Sequence, residues 1–386
     1  MKINIIGGGP AGMYFAILMK KADARHEITV YERNGPDDTF GWGVVFSGKT
    51  LRNLRAADEE SHAEITRAFE AWDNVDVVHH DSKISIHGNS FSGIARLQLL
   101  KILQRRCERL GIELLFRSDV PDVDSLRASC ELLVAADGVN STARKQYSNH
   151  FVPNLDIRPN RYIWYGSNKL FHGLTLIFRE KDGGVFAAHS YKFNQTTSTF
   201  IIECDQETWN SAGFSTMSED ETRAYLERVF AKDLDGQPLL SNKSNWLNFL
   251  LVKNERWSFE NVVMVGDALH TAHFSIGSGT KLALEDAISL FESFARKETV
   301  EAALQDFEST RKPVIAEYQA AAYESMLWFE NARQYMNLTP FELAFALMMR
   351  SGRVGYEDLK RRDPQFIARY EAEHNSYIGT ADVPPA

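Results

Sequence analysis

Three glycines near the start of the chain, Gly7, Gly9 and Gly12, stand in the stretch INIIGGGPAGMYFAI, and an acidic residue, Glu32, closes a second apolar run, ITVYE. That spacing suits the binding of a nucleotide diphosphate. Gly7 would make a tight turn, Gly9 would let a pyrophosphate approach the backbone, and Gly12 would let a helix pack closely on a strand. The helix that follows Pro10 and Ala11 offers free N–H groups and the positive end of its dipole to phosphate. Glu32, with Arg33 beside it, sits where a carboxylate can accept from ribose hydroxyls. NAD, FAD and methyl-donor proteins share this pattern, so it does not choose among them.

Two further turns carry acids. The run LLVAA leads into Asp137-Gly138, followed by Ser141 and Arg144, and NVVMV leads into Gly266-Asp267, followed by Gly277, Gly279 and Thr280 at the opening of a helix. One Asp-Gly pair is an ordinary turn. With a second aspartate in the Gly266-Asp267 turn, also after a buried strand, each turn offers a carboxylate that can accept from a sugar hydroxyl. Side chains that could move a proton or meet an aromatic ring are His273 and Phe274, just before the later glycines, and His189 and Tyr191. The last two alternate along a strand and so point to one face. Trp42, Trp164 and Tyr165 could line an aromatic pocket with them, although core packing is the plainer account of each alone. His79, His80 and His270 read as structural.

The elements that must hold these residues follow from periodicity. Lys2 to Ile6 and Ile28 to Tyr31 read as buried strands with a helix over Met13 to Lys21 between them. Ala95 to Gly111 has amphipathic helical spacing, with Leu97, Leu100, Leu103 and Leu110 on one side and Arg96 at its start. From Val152 to about Trp257 the pattern alternates, as in LTLIFR and STFIIEC, which predicts an antiparallel sheet. The reading is α/β: a Rossmann-like dinucleotide-binding domain over 1–150, with a sheet excursion near 75–95, resumed over 257–299. An antiparallel substrate domain is inserted at 151–256, and a helical segment follows over 300–386.

A net charge of -9 over 386 residues is unsuited to nucleic acid or an anionic membrane as a partner. Cys107, Cys130 and Cys204 have neither metal-ligand spacing nor an even count, which favours a reducing compartment and no metal. No apolar run reaches membrane-spanning length and no leader precedes the glycines, so the expectation is a soluble, cytoplasmic protein. A homodimer contact stays open. The end from Ser376, with Pro384 and Pro385, reads as frayed.

Taken together and in this order, the Gly7–Gly12 fingerprint, Asp137-Gly138 and Gly266-Asp267 resemble the group A flavoprotein monooxygenases, the family of 4-hydroxybenzoate hydroxylase, from Met1 to about Arg296. The resemblance implies FAD as the bound dinucleotide and NAD(P)H as a transient co-substrate, for which no second fingerprint is present. It implies that Asp267 holds the ribityl chain, that Arg96 contacts FAD, and that Asp137-Gly138 lies where flavin and nicotinamide meet. Val44, Arg33 and Arg144 are counted in the same site. A helix starting near Gly279 would point N–H groups at the flavin pyrimidine edge, where reduction leaves negative charge. The implied chemistry is single-component aromatic hydroxylation: NAD(P)H reduces FAD, oxygen adds at flavin C4a as a hydroperoxide, and one hydroxyl passes to an activated ring. Two positions depart from the family, with Phe274 where proline is common and Lys281 where asparagine is.

The stretches GWGVVFSG (41–48), YIWYG (162–166), GDALHTAHFSIGSGTK and WFENARQYMNLTPFELAF resemble a branch of that family acting on aryl-CoA thioesters and on tryptophan derivatives. The reaction this implies is 5-hydroxylation of salicylyl-CoA to gentisyl-CoA. The alternatives are hydroxylation of 2-aminobenzoyl-CoA, or of a free indole or tryptophan derivative; outside monooxygenation stands a flavin-using isomerase or cyclase. A CoA ligand needs local positive charge. Arg158, Arg161, Lys169 and Lys192, or Arg350, Arg353, Lys360, Arg361 and Arg362, could supply it, although a solvated charged face is the plainer account of either set.

Overall fold

The computed structural model describes residues 1–381, with side chains through residue 373. The final helix, Pro364–Ala381, runs past Ser376, while Pro384 and Pro385 lie outside the described residues. The chain forms two compact units. One comprises Met1–Phe69, Gly93–Arg158 and Phe249–Ala320; the other comprises Glu70–Ser92, Pro159–Asn248 and the chain from Ala321 onward.

The first unit is built on a six-stranded sheet in the order Ser258–Phe259, Val262–Met264, Leu132–Ala135, Lys2–Ile6, Glu27–Glu32, Glu113–Phe116. Every pairing is parallel except that of the first two strands. Apart from Asn4, the central strands are apolar on both faces, and Ile3, Ile5, Leu132 to Ala135 and Val262 to Met264 are completely buried, as a parallel sheet covered by helices requires. Parallel strands share one direction, so the ends at Ile6, Glu32, Ala135 and Met264 fall on one edge of the sheet. The three Gly- and Asp-bearing turns therefore meet at that edge. The helix Pro10–Ala22 is buried from Pro10 through Met19. In the helix Arg96–Arg109 the buried stripe runs through Leu99, Leu100, Leu103 and Cys107, leaving Leu97 and Leu110 only partly covered.

The second unit is built on a sheet whose main path runs Leu239–Leu240, Pro153–Ser167, Ser198–Cys204, Gly184–Lys192, Leu174–Lys181, Val75–His79, Ser82–Ile86. Its pairings are antiparallel except that of Leu174–Lys181 with Val75–His79. Register assigns the faces. His189 lies opposite Ile201 and Leu176, and Ile201 lies opposite Trp164, so Tyr191, His189, Ala187, Glu203, Ile201 and Trp164 share one face. Part of that face is covered by Trp328, Phe329, Leu343 and Leu347 from the later helices. The opposite face carries Ile163, Tyr165, Phe186, Phe200 and Ile202 beneath Phe214, Tyr225, Leu226 and Phe230.

Candidate active site

The glycines of the first unit have distinct jobs. A Cβ on Gly7, whose φ is +104°, would meet the Ala136 carbonyl oxygen at 2.2 Å, and one on Gly12 would meet the Gly7 oxygen at 2.3 Å. Both positions are closed by backbone. Around Gly9 no atom of the described residues lies within 4 Å of the same point, which leaves room for a ligand against the main chain. Gly9 starts a helix with proline at its first turn, no side-chain cap and no acid in that turn, so its first N–H groups and dipole remain available to an anion. Glu32 accepts from the Gly8 N–H at 2.8 Å and from the Asn34 N–H at 2.7 Å, and a carboxylate so placed keeps lone pairs for a ribose. Arg33, next in sequence, is exposed.

Asp137 accepts from the Thr142 N–H at 2.6 Å through Oδ2, while its Oδ1 is buried with no partner among the described residues. Burial pushes this carboxyl up, against the hydrogen bonds from Ser141 and the following backbone. An orphaned acceptor at the end of a parallel strand fits a sugar or ring N–H donor. Asp267 is surrounded by protein yet keeps an accessible side chain, as expected of a carboxylate facing a recess. Burial raises its affinity for a proton, and the Arg96 guanidinium opposes that rise. The Arg96 N–H is fixed on the Trp42 carbonyl at 2.8 Å.

Behind these residues lies a support that sequence reading passed over. Asp286, fully buried on the helix Gly279–Arg296, accepts the Gly266 N–H at 3.0 Å and the Arg311 Nε at 2.9 Å, with His270 Nε2 at 2.8 Å. Burial would raise its pKa, but His270 and Arg311 outweigh burial and hold it down. His270 is thus structural. The signal was available: an acid seven residues into an apolar helix needs partners. Gly266 itself has φ +62°, with Ala11 and Ala283 close to where a Cβ would stand.

His273 is buried, and its Nδ1 lies 2.9 Å from the Ser275 hydroxyl while accepting the Ser275 N–H at 3.4 Å. It caps the short turn Phe274–Ile276 and packs edge-on against Phe249 at 4.9 Å. Phe274 is half-buried beside it. The turn ends at Gly277, with φ +60°, whose Cβ position looks toward Val45, the neighbour of buried Val44 in the strand Gly43–Ser47. Gly279 and Thr280 then open a helix with no side-chain cap and no acid in its first turn.

In the second unit, register separates the aromatic candidates. His189 and Tyr191 share a face, whereas Tyr165 points to the other side, completely buried among Phe171, Phe200 and Phe230. Tyr165 therefore belongs to packing and does not line a pocket with His189. Trp164 takes its place on the His189 face, and its indole N–H is buried without a partner among the described residues. Glu203, which sequence reading missed, lies 3.6 Å from His189 Nε2, and both are buried. An acid within STFIIEC was the available clue. Arg350 was expected among surface cations, but it turns inward, donating to Ser325 Oγ at 2.9 Å and to the Leu347 carbonyl at 2.6 Å, beneath Phe329 and within the field of Glu203. Burial, opposed by Glu203, lowers its pKa to about 10. Other proposed CoA cations already hold acids: Lys192 with Glu70 at 2.8 Å, Lys169 with Asp235 at 3.0 Å and Arg158 with Asp156 at 2.7 Å.

The cradle, the orphaned Asp137 oxygen and the Asp267 recess fit a flavin dinucleotide, and comparison with known proteins agrees. The FAD binding domain family matches residues 1–322, and the chain belongs to that family. It is 36% identical over 382 residues to salicyloyl-CoA 5-hydroxylase of Streptomyces sp, covering 96% of this chain and 73% of the relative. It is 34% identical to protodeoxyviolaceinate monooxygenase of Chromobacterium violaceum, covering 89% of this chain and 92% of that one. It is also 34% identical to 3-hydroxy-4-methyl-anthranilyl-(aryl-carrier protein) 5-monooxygenase of Streptosporangium sibiricum, covering 93% and 97%. Solved structures of 2-methyl-3-hydroxypyridine-5-carboxylic acid oxygenase share the fold, with a TM-score of 0.72 at 17% identity over 94% of this chain and 98% of that one. Pseudomonas aeruginosa PqsL does so with a TM-score of 0.70 at 18% identity, covering 89% and 99%. The protein is a flavin-dependent aromatic monooxygenase of group A that binds FAD. Among the described residues no helix is long and apolar enough to cross a membrane.

Proposed function

We propose that the protein hydroxylates an aryl thioester at the ring position para to an activating hydroxyl or amino group, with salicylyl-CoA 5-hydroxylation as the leading reaction and NAD(P)H as reductant. The observation that carries this reading is 36% identity to a salicyloyl-CoA 5-hydroxylase along 96% of the chain. The likeness to an enzyme named for an aryl-carrier thioester, also a 5-monooxygenase, supports the same ring position and widens the acyl carrier. A free indole or tryptophan-type aromatic is the second reading, favoured by the likeness to protodeoxyviolaceinate monooxygenase.

When bound, FAD supplies oxygen activation and electrophilic hydroxyl transfer. The protein's share is binding, orientation and proton handling. Gly9 and the Pro10–Ala22 helix hold pyrophosphate, Glu32 the ribose and Asp267 the ribityl chain, with Arg96 beside it. The 5-position of a salicyl ring is para to its phenol oxygen and already electron-rich, so no protein nucleophile is required. His189, with a Glu203 oxygen 3.6 Å from its Nε2, is suited to take the phenol proton, and the Trp164 indole N–H to donate to a carbonyl oxygen of the substrate. His273 and Phe274 are alternative ring-facing residues. Three free cysteines fit a cytoplasmic setting.

The test is a panel of salicylyl-CoA, 2-aminobenzoyl-CoA, their free acids and tryptophan with the FAD-loaded protein, following substrate-stimulated NAD(P)H oxidation. A rate that requires the thioester supports the reading. Stimulation by free aromatics alone would move it to the second, and turnover without NAD(P)H or oxygen consumption to an isomerase or cyclase.

A further inference from the structure

Lys281 breaks two rules of burial at once. It is only 5% exposed, and among the described residues no carboxylate lies within ion-pair distance of it. Its Nζ instead contacts the Tyr318 hydroxyl and sits 4.1 Å from that ring's centroid. A buried ammonium held only by a phenol and its π-face is poorly compensated. Lys281 also stands in the first turn of the helix Gly279–Arg296, where the dipole repels a cation. No acid in that turn relieves it. An uncompensated cation in such a place is stable when a ligand brings the opposite charge.

We propose that Lys281 is a positioning charge for the flavin, stabilising the negative charge that two-electron reduction leaves at the pyrimidine edge and so raising the reduction potential. This rests on the reading that Gly277, Gly279 and Thr280 face that edge. Reduction by NAD(P)H delivers a hydride, two electrons and one proton, so the bound ring gains one negative charge as the nicotinamide becomes cationic and leaves. The Lys281 N–H lies in the same turn as those of Gly279 and Thr280, and its side chain cannot carry Nζ more than about 10 Å from them, given the length of a lysine. Across such a distance inside a protein, a unit charge changes an ionic equilibrium by on the order of tenfold. Tyr318 fixes where the ammonium sits.

The experiment measures the two-electron midpoint potential and sulfite affinity of FAD-loaded wild-type, Lys281→Met, Lys281→Arg, Tyr318→Phe and Thr280→Glu proteins. Sulfite is a suitable probe because its lone pair bonds to the flavin and leaves negative charge on the ring. Lys281→Met should lower the potential by about 30 mV, equivalent to tenfold for a two-electron couple, and weaken sulfite about tenfold. Lys281→Arg should retain most of both properties, and Tyr318→Phe should shift them part of the way. The melting temperature of Lys281→Met apoprotein should not fall, because an uncompensated charge has been removed. An unchanged potential with a lowered melting temperature would assign Lys281 to packing and overturn the proposal. Thr280→Glu separates the two possible failures. If it lowers the potential while Lys281→Met does not, the helix faces the flavin and Lys281 is not involved; if neither moves it, the placement of the helix is wrong and the proposal falls with it.

Discussion

Arg144 reaches from one acid-bearing turn to the other: its Nη1 donates to the Ala268 carbonyl at 2.9 Å, and its Nη2 donates to the Val139 carbonyl. The side chain is almost fully buried, and burial weakens its hold on its proton, an effect that nearby Asp137 opposes. Replacing it with Met should cost about 3 kcal/mol of stability, since two buried carbonyls lose a charged donor. FAD affinity should fall at least tenfold, because Asp137 and Asp267 would no longer be held in register. Urea unfolding of apoprotein and fluorescence titration with FAD measure the two separately; lost stability with unchanged affinity would uncouple Arg144 from the cofactor.

Gly9 and Gly12 should separate binding from folding. Gly9→Ala places a methyl in open space, so the apoprotein should melt within about 2 °C of wild type while FAD affinity drops tenfold or more. Gly12→Ala drives a methyl onto the Gly7 carbonyl and should destabilise the fold itself by about 2 kcal/mol or more. Equal loss of FAD with equal loss of stability in both would argue against a pyrophosphate at Gly9.

Acid stability should carry the signature of Asp58. Burial raises its pKa, but hydrogen bonds from Arg106, Ser61 and Lys21 outweigh that and hold it at about 2. A carboxyl whose folded pKa lies below its unfolded value near 3.9 stabilises the fold above that value and loses its contribution as pH falls toward 2. Asp58→Asn should therefore cost about 2 kcal/mol at pH 7 and flatten the dependence of stability on pH between about 4 and 2. An unflattened curve in denaturant titrations across that range would place the acid sensitivity elsewhere.

The two sides of the second sheet predict opposite outcomes. His189→Gln should lower kcat/KM for hydroxylation on the order of 100-fold, with FAD affinity unchanged. Tyr165→Phe should leave turnover within about twofold, because its hydroxyl is buried in the far core without a partner among the described residues. The reverse result would mean that substrate contacts the other face.

The cofactor half of the protein was legible in the sequence because its signals are local. Each turn follows directly on the strand that aims it, so Gly7, Asp137 and Asp267 could be placed without tertiary knowledge. The second unit was not. Whether Tyr165 or Trp164 joins His189 depends on cross-strand register, which a one-residue shift inverts. Arg350 looked like one of a run of tail cations, and only packing against Phe329 and Ser325 turns it inward. Lys281 and Tyr318 lie on different helices, so their contact could not be read from either stretch alone.

Labelled oxygen shows whether one atom of molecular oxygen enters the ring of an aryl thioester. FAD-loaded protein, NAD(P)H and salicylyl-CoA under ¹⁸O₂ should give a product carrying a single labelled oxygen on the ring, with the thioester intact and one reductant consumed for each product formed. Reductant consumption that yields only peroxide with every thioester tried, or a product whose new oxygen comes from water, would contradict the account.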